Sequence, residues 1–116
     1  MSQEDCLFCR IATGAIPSEF VYEDEVCVAF NDISPQAPTH ILVIPREHID
    51  SLDAAENSHK ETLGHLLLTA GEIARKKGFA RDGYRVVANT NSDGGQTVFH
   101  IHLHLLGGRQ FVFPPG

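Results

Sequence analysis

Phe99-His100-Ile101-His102-Leu103-His104-Leu105-Leu106 alternates three histidines with apolar residues. A β-strand turns successive side chains to opposite faces, so a strand here sets His100, His102 and His104 in one row, neighbours about 7 Å apart. Ile101, Leu103 and Leu105 then point into a core. A helix would scatter the imidazoles, and the period of two therefore predicts a strand. Upstream, Asn89-Thr90-Asn91-Ser92-Asp93-Gly94-Gly95-Gln96-Thr97 is polar and glycine-rich, the composition of a loop where backbone approaches a ligand. A polar loop feeding a histidine-lined strand reads as a site. Chance alternation on a solvent-facing strand is the bland explanation, and such a surface favours residues such as Thr over His.

The remaining elements follow from local chemistry. Cys6 to Ala12 reads as a short helix, stopped near Gly14 and Pro17. Phe20–Glu23 and Val26–Phe30 form a hairpin around Asp24-Glu25. Pro35 and Pro38 enforce an extended irregular link before His40–Ile44, a continuous apolar run expected as a buried central strand. Ser58 and Glu61 make a capping box for one long helix. Its core stripe is Leu63, Leu66, Leu67, Ala70, Ile73 and Ala74. Arg75, Lys76 and Lys77 complement the helix dipole, with Gly78 as the C′ residue. His59 and His65 on this helix read as solvated surface residues. Tyr84–Ala88 is a further strand. Strands and helices without regular βαβ alternation predict an α+β fold with a mostly antiparallel sheet.

At 116 residues the chain is expected to be a single domain, 1–116, small enough that oligomerisation would help it. With no apolar run near about 18 residues and no signal-peptide pattern, a cytoplasmic protein without a membrane partner is expected. The net charge is −6, and no basic cluster is denser than Arg75-Lys76-Lys77, which argues against a polynucleotide partner. A single nucleotide remains open. Three cysteines without a secretory signal argue against a disulfide framework. Cys6-x-x-Cys9 is a soft-ligand pair at zinc spacing, although two free thiols packed as small apolar groups would leave the same pattern.

The His-φ-His-φ-His-φ-φ pattern, φ being apolar, resembles the histidine triad superfamily of nucleotide-binding proteins. Asn31–His40, Ile44–His48, Gly94–Val98, Gly107–Gln110 and Pro114–Gly116 are similar to the Hint branch, in order and over nearly the whole chain. The resemblance implies a five-stranded, mostly antiparallel sheet with one long and one short helix, extended across a homodimer. It implies that His102 is the nucleophile of a covalent nucleotidyl-histidine intermediate, and that His104 contacts the phosphate and its leaving group. His40 would orient the nucleophile, and His100 completes the catalytic set. Gly95, Gln96 and Thr97 would hold the α-phosphate, Thr97 standing where Ser is common. Asp32 and Asn89 would contact the ribose; a carboxylate can accept bonds from both hydroxyls. Ile33, Phe8, Ile11, Ile16 and Leu42 would sandwich the purine. Some bacterial-type members bind zinc with a cysteine pair and two histidines; here the set would be Cys6, Cys9, His48 and His100, closed and structural. Phe113 stands where this branch often has Trp.

Imidazole chemistry agrees with that assignment. A neutral His attacks phosphorus, water resolves the adduct, and neighbouring donors stabilise the developing charge, so catalysis needs no metal in principle. The favoured function is hydrolysis of purine nucleoside 5′-phosphoramidates, or adenylylated amines, to the nucleoside monophosphate. Dinucleoside polyphosphate hydrolysis is the nearest alternative. A metalloenzyme with catalytic zinc on His100, His102 and His104 is a second class, and a nucleotide sensor or scaffold with little turnover is a third.

Overall fold

Five strands make one sheet: β1 (Phe20–Glu23), β2 (Cys27–Asn31), β3 (Thr39–Pro45), β4 (Arg85–Val87) and β5 (Leu103–Gly107). The computed structural model describes residues 5–116, so the expected domain extends beyond it only at residues 1–4. Across the sheet the strands run β1-β2-β3-β5-β4, and every neighbouring pair is antiparallel. A short helix α1 (Leu7–Thr13) and a long helix α2 (Lys60–Lys77) complete the expected α+β architecture.

The pleat divides the apolar residues between two helices. On one face Cys27, Ala29, Ile41, Val43, Leu103 and Leu105 pack with Leu66, Ala70, Ile73 and Ala74 of α2. On the other, Val28, Phe30, Leu42 and Ile44 pack with Phe8, Cys9, Ile11 and Ala12 of α1. His104 pairs across the ladder with Leu42, so it shares the α1 face. Packing on the α2 face is tight at Gly107, where an added Cβ would stand 2.5 Å from the Phe79 ring. Both helices end on glycines in the left-handed region, Gly14 at φ 84° and Gly78 at φ 89°.

Several elements differ from expectation. The histidine strand begins at Leu103, not Phe99. Beyond the Val43–Leu103 pair the ladder would next use Pro45, which has no N–H, and its carbonyl instead accepts from the His100 imidazole at 2.8 Å. The expected strand Tyr84–Ala88 shortens to Arg85–Val87. A 3₁₀ turn, Asn57–His59, precedes α2, and Glu56 N–H donates to His59 Nδ1 at 2.9 Å, so Glu56 and His59 replace Ser58 and Glu61 as the capping pair. Leu67 is 56% exposed and leaves the core stripe. No helix of the described residues is long and apolar enough to cross a membrane.

His59 and His65 are not free surface residues. His59 also approaches Glu47 at 3.2 Å, while His65 Nε2 lies 2.6 Å from Asp24 Oδ2. Asp24 does more than form a turn. Its carboxylate accepts from the Val26 and Cys27 amides and the Tyr22 hydroxyl, each at 2.8 Å. Burial works to raise its pKa, but the Cys27 amide, His65, Tyr22 and the Val26 amide together hold the carboxyl well below the usual range. A depressed carboxyl pKa supplies stability above the unfolded value of about 3.9 that is lost as pH falls toward the folded value. Asp24→Asn is therefore expected to destabilise the fold by about 2 kcal/mol at pH 7. Urea unfolding at pH 7 and pH 3 checks this: the gap from wild type should narrow in acid.

Candidate active site

Helix α1, the start of the link after β2, and the approach to β5 enclose a cavity of about 490 Å³. Its lining includes Phe8, Ile11, Ile16 and Leu42 on the apolar side, and Asp32, Thr97, His102 and His104 on the polar side. An apolar slot closed by a few convergent polar groups suits a flat heterocycle carrying a charged end. Ile33 is 99% exposed and stands at the rim, not as an inner wall.

The hydrogen-bond network assigns each ring nitrogen a task. His102 Nδ1 lies 2.8 Å from the His100 carbonyl, which only accepts, so Nδ1 carries the hydrogen and Nε2 keeps a free lone pair. The Gln36 amide donates to His40 Nδ1 at 3.1 Å, which puts the hydrogen of His40 on Nε2. That hydrogen is given to His104 Nδ1 at 2.9 Å, with Asp32 Oδ2 also 3.4 Å away. His104 Nε2 must then carry a hydrogen of its own. Two adjacent imidazoles, ring centroids 5.0 Å apart, thus offer one lone pair and one donor. His40 orients His104, not His102 as expected.

Burial holds both groups neutral. It lowers the His102 pKa against the pull of the His100 carbonyl and Asp32. For His104, burial with the nearby His102 and His40 pushes the value down to about 4, Asp32 opposing. Phe8 presents its edge to the His102 ring at 5.0 Å and 87°, fixing the plane of the imidazole.

His100 does not line the cavity; the expected row of three breaks here. It is fully buried, and its Nε2–H donates to the Pro45 carbonyl. Its Nδ1 lies 3.3 Å from Cys6 Sγ, 3.4 Å from Cys9 Sγ and 3.2 Å from His48 Nδ1. His48 Nδ1 is 3.2 Å from Cys9 Sγ, and its Nε2 faces Asp50 Oδ1 at 2.7 Å. Two Nδ1 lone pairs therefore face each other at 3.2 Å beside two sulfurs, with no ring hydrogen between them. A tetrahedral zinc with bonds of about 2.0–2.3 Å would place such ligands about 3.3–3.8 Å apart; the contacts of 3.2–3.4 Å stand at the short end of that range, and all four atoms lie within 4.8 Å of one another. Asp50 and the Pro45 carbonyl stand where the outer partners of metal-binding imidazoles would. A site joining His100, His102 and His104 has no such geometry, since the described ligand clusters separate His100 from His104.

A HIT domain model matches residues 13–111. The chain belongs to the HIT family. It is 50% identical to the purine nucleoside phosphoramidase of Escherichia coli over 106 residues, covering 91% of this chain and 89% of that protein. It is 53% identical to an uncharacterised HIT-like protein of Synechococcus elongatus, covering 97% and 98% of the two chains. The crystal structure of a HIT family hydrolase from Legionella pneumophila superposes with a TM-score of 0.94 at 52% identity, over 97% of this chain and all of that one.

Among the loop residues, only Thr97 reaches the cavity of this HIT domain; Asn89, Gly95 and Gln96 do not line it. Asn89 is half-buried just beyond β4. Gly95 turns the loop at φ 81°. The Gln96 side chain is 6% exposed and works as a staple. Its Oε1 accepts from the Asn91 amide at 2.8 Å, and its Nε2 donates to the Asp50 and Val98 carbonyls at 2.8 and 3.1 Å. The glycine-rich context pointed to a ligand loop, but nothing local in the sequence marks Gln96 as its internal brace. Asp50, two residues after His48, was the one legible sign of an outer partner for that imidazole. Gln96→Glu keeps the acceptor and turns a carboxylate on two carbonyls. It is expected to cost about 2–4 kcal/mol, read as a lowered denaturation midpoint with an unchanged slope.

Proposed function

We propose that this HIT hydrolase cleaves purine nucleoside 5′-phosphoramidates to the nucleoside monophosphate through a nucleotidyl-His102 intermediate. The observation that carries the reading is the complementary pair, His102 Nε2 with a free lone pair beside His104 Nε2 with a hydrogen, at the polar end of an apolar slot. The 50% identity to the Escherichia coli phosphoramidase supports the substrate class. Phe8, Ile11, Ile16 and Leu42 receive the purine, and Asp32 accepts from the ribose hydroxyls. Thr97 receives the phosphate, on a loop that the Gly95 and Gln96 amides hold closed by donating to the Ser92 and Asn91 carbonyls.

The bound anion raises the pKa of the neighbouring His104, which takes up a proton. His102 Nε2 attacks phosphorus, forming the N–P bond as the P–N bond to the amine breaks. His104 gives its Nε2 proton to the departing amine. The adduct is a phosphorylated imidazolium, a good leaving group. Water then attacks phosphorus, loses its proton to the vacated His104 Nε2, and His102 leaves neutral. His40 and Asp32 hold His104 in place through both steps.

Hydrolysis of adenosine 5′-phosphoramidate to AMP, by wild type and His102→Ala side by side, tests this. Turnover should fall at least about 10³-fold in the variant, while AMP still binds. Equal rates would remove His102 as nucleophile. Wild type denatured during turnover at alkaline pH, where the N–P bond survives, should carry a nucleotidyl adduct on His102, detectable by mass spectrometry.

Cys6, Cys9, His48 and His100 hold a structural zinc in this reading, supported by the four converging donor atoms. Elemental analysis is expected to give one zinc per chain; a protein well below that, with no recovery on added zinc, would exclude it. The functional unit is a homodimer. β4 is an edge strand, and exposed Leu67, Leu68 and Tyr84 line one groove along α2. Leu68→Glu should convert the dimer to a monomer in sedimentation analysis.

A further inference from the structure

The cysteine–histidine cluster and the cavity meet in one residue. His100 Nδ1 faces the two sulfurs, and its carbonyl, on the same residue, accepts the hydrogen of His102 Nδ1 at 2.8 Å. That bond keeps the His102 hydrogen off Nε2, and so keeps Nε2 nucleophilic. The imidazole of His100 is fixed at both nitrogens, by Pro45 on one side and the cluster on the other. Its backbone is held by the adjoining Ile101 amide, which donates to the Ile49 carbonyl at 2.7 Å. Ile49 in turn lies between His48, a cluster member, and Asp50, whose carbonyl accepts from the loop brace Gln96. Cys6 also caps α1 by accepting from the Cys9 amide at 3.3 Å, and α1 carries Phe8 against the His102 ring. Three routes therefore run from the cluster to the nucleophile: through the His100 carbonyl, through 48–50, and through α1.

We infer that the metal held by Cys6, Cys9, His48 and His100 sets the tautomer and orientation of His102, making His100 a positioning residue and the cluster part of the active site's control. This rests on the zinc reading above. Without the metal, only the Cys6 and Cys9 thiol hydrogens remain to occupy the two facing lone pairs, partners far weaker than bonds to a metal. The His100 ring is then free to turn, which shifts its main chain and weakens the bond to His102 Nδ1. A staple that merely added stability would leave His102 unchanged for as long as the chain stayed folded.

The test is nitrogen NMR of the imidazoles, in zinc-loaded protein, after chelation, and with cadmium in place of zinc. Zinc-loaded protein should show His102 as the Nδ1–H tautomer alone. Chelated protein should show a mixture at His102, with AMP affinity changed less than about threefold and kcat lowered at least tenfold. The backbone amides of Ile73 and Ala74, on the opposite face of the sheet, serve as the internal control and should not respond. If the chelated chain unfolds, the cadmium form decides, because its longer ligand bonds displace His100 in a folded protein. His102 resonances unmoved in every folded form would overturn the inference. Metal content separates the failures: no uptake of zinc or cadmium overturns both the zinc reading and this one, whereas one ion per chain with an unresponsive His102 overturns this one alone. A responsive His102 in a protein inactive toward phosphoramidates would sustain the coupling and discard only the substrate.

Discussion

The hydrogen bond from His100 Nε2 to the Pro45 carbonyl is where a strand becomes a site. It takes the acceptor that the ladder would use next, beside a residue with no amide hydrogen to offer. The chain upstream of Leu103 is thereby released from the pleat while remaining packed on the sheet's α1 face. Once released, His100 turns its second nitrogen to two cysteines and its carbonyl to His102. A regular strand would have kept all three imidazoles equivalent. Breaking it gives them three different surroundings, and hence three different duties.

Hydrogen direction then does what charge does in many active sites. Among the described residues, no Lys or Arg lines the cavity. Instead, a relay from the Gln36 amide through His40 to His104 imposes an outward donor, and the His100 carbonyl imposes an outward acceptor. Both settings derive from backbone groups, whose protonation does not change with pH. Neutral imidazoles in a buried cavity escape the desolvation cost that fixed charges would meet there.

Much of this was legible in the residues. Periodicity found the sheet, the long helix and its glycine stop, and the alternation of His with Leu found the site. What it missed is instructive. A period of two describes Phe99–Leu106 well, yet half of that stretch is not strand, because the partner segment ends in Pro45 and periodicity contains no information about partners. His59 and His65 looked like solvated polar residues on a helix. Their acidic partners, Glu47 and Asp24, lie far away in sequence and come close only on folding. Leu67 fitted the helical stripe but sits where no sheet covers it. Gln96 belongs with these: one of its three bonds reaches a carbonyl 46 residues away. The family resemblance had His40 orient the nucleophile, whereas ring-nitrogen geometry pairs it with His104.

The division of the sheet between α2 and α1 has a numerical signature. In β2, β3 and β5 the residues facing α2 carry odd numbers, Cys27, Ala29, Ile41, Val43, Leu103 and Leu105; those facing α1 carry even ones, Val28, Phe30, Leu42, Ile44 and His104. Stability and chemistry are thus interleaved along the same strands. Neighbouring positions answer to different selective pressures, and a substitution's consequence alternates with each step along the chain. Deleting one residue inside β3 would exchange the two roles over the rest of the strand, exposing core to the cavity and burying His40's neighbours under α2. The irregular link between Asn31 and Thr39 carries no such alternation, and length changes there need not transmit any inversion.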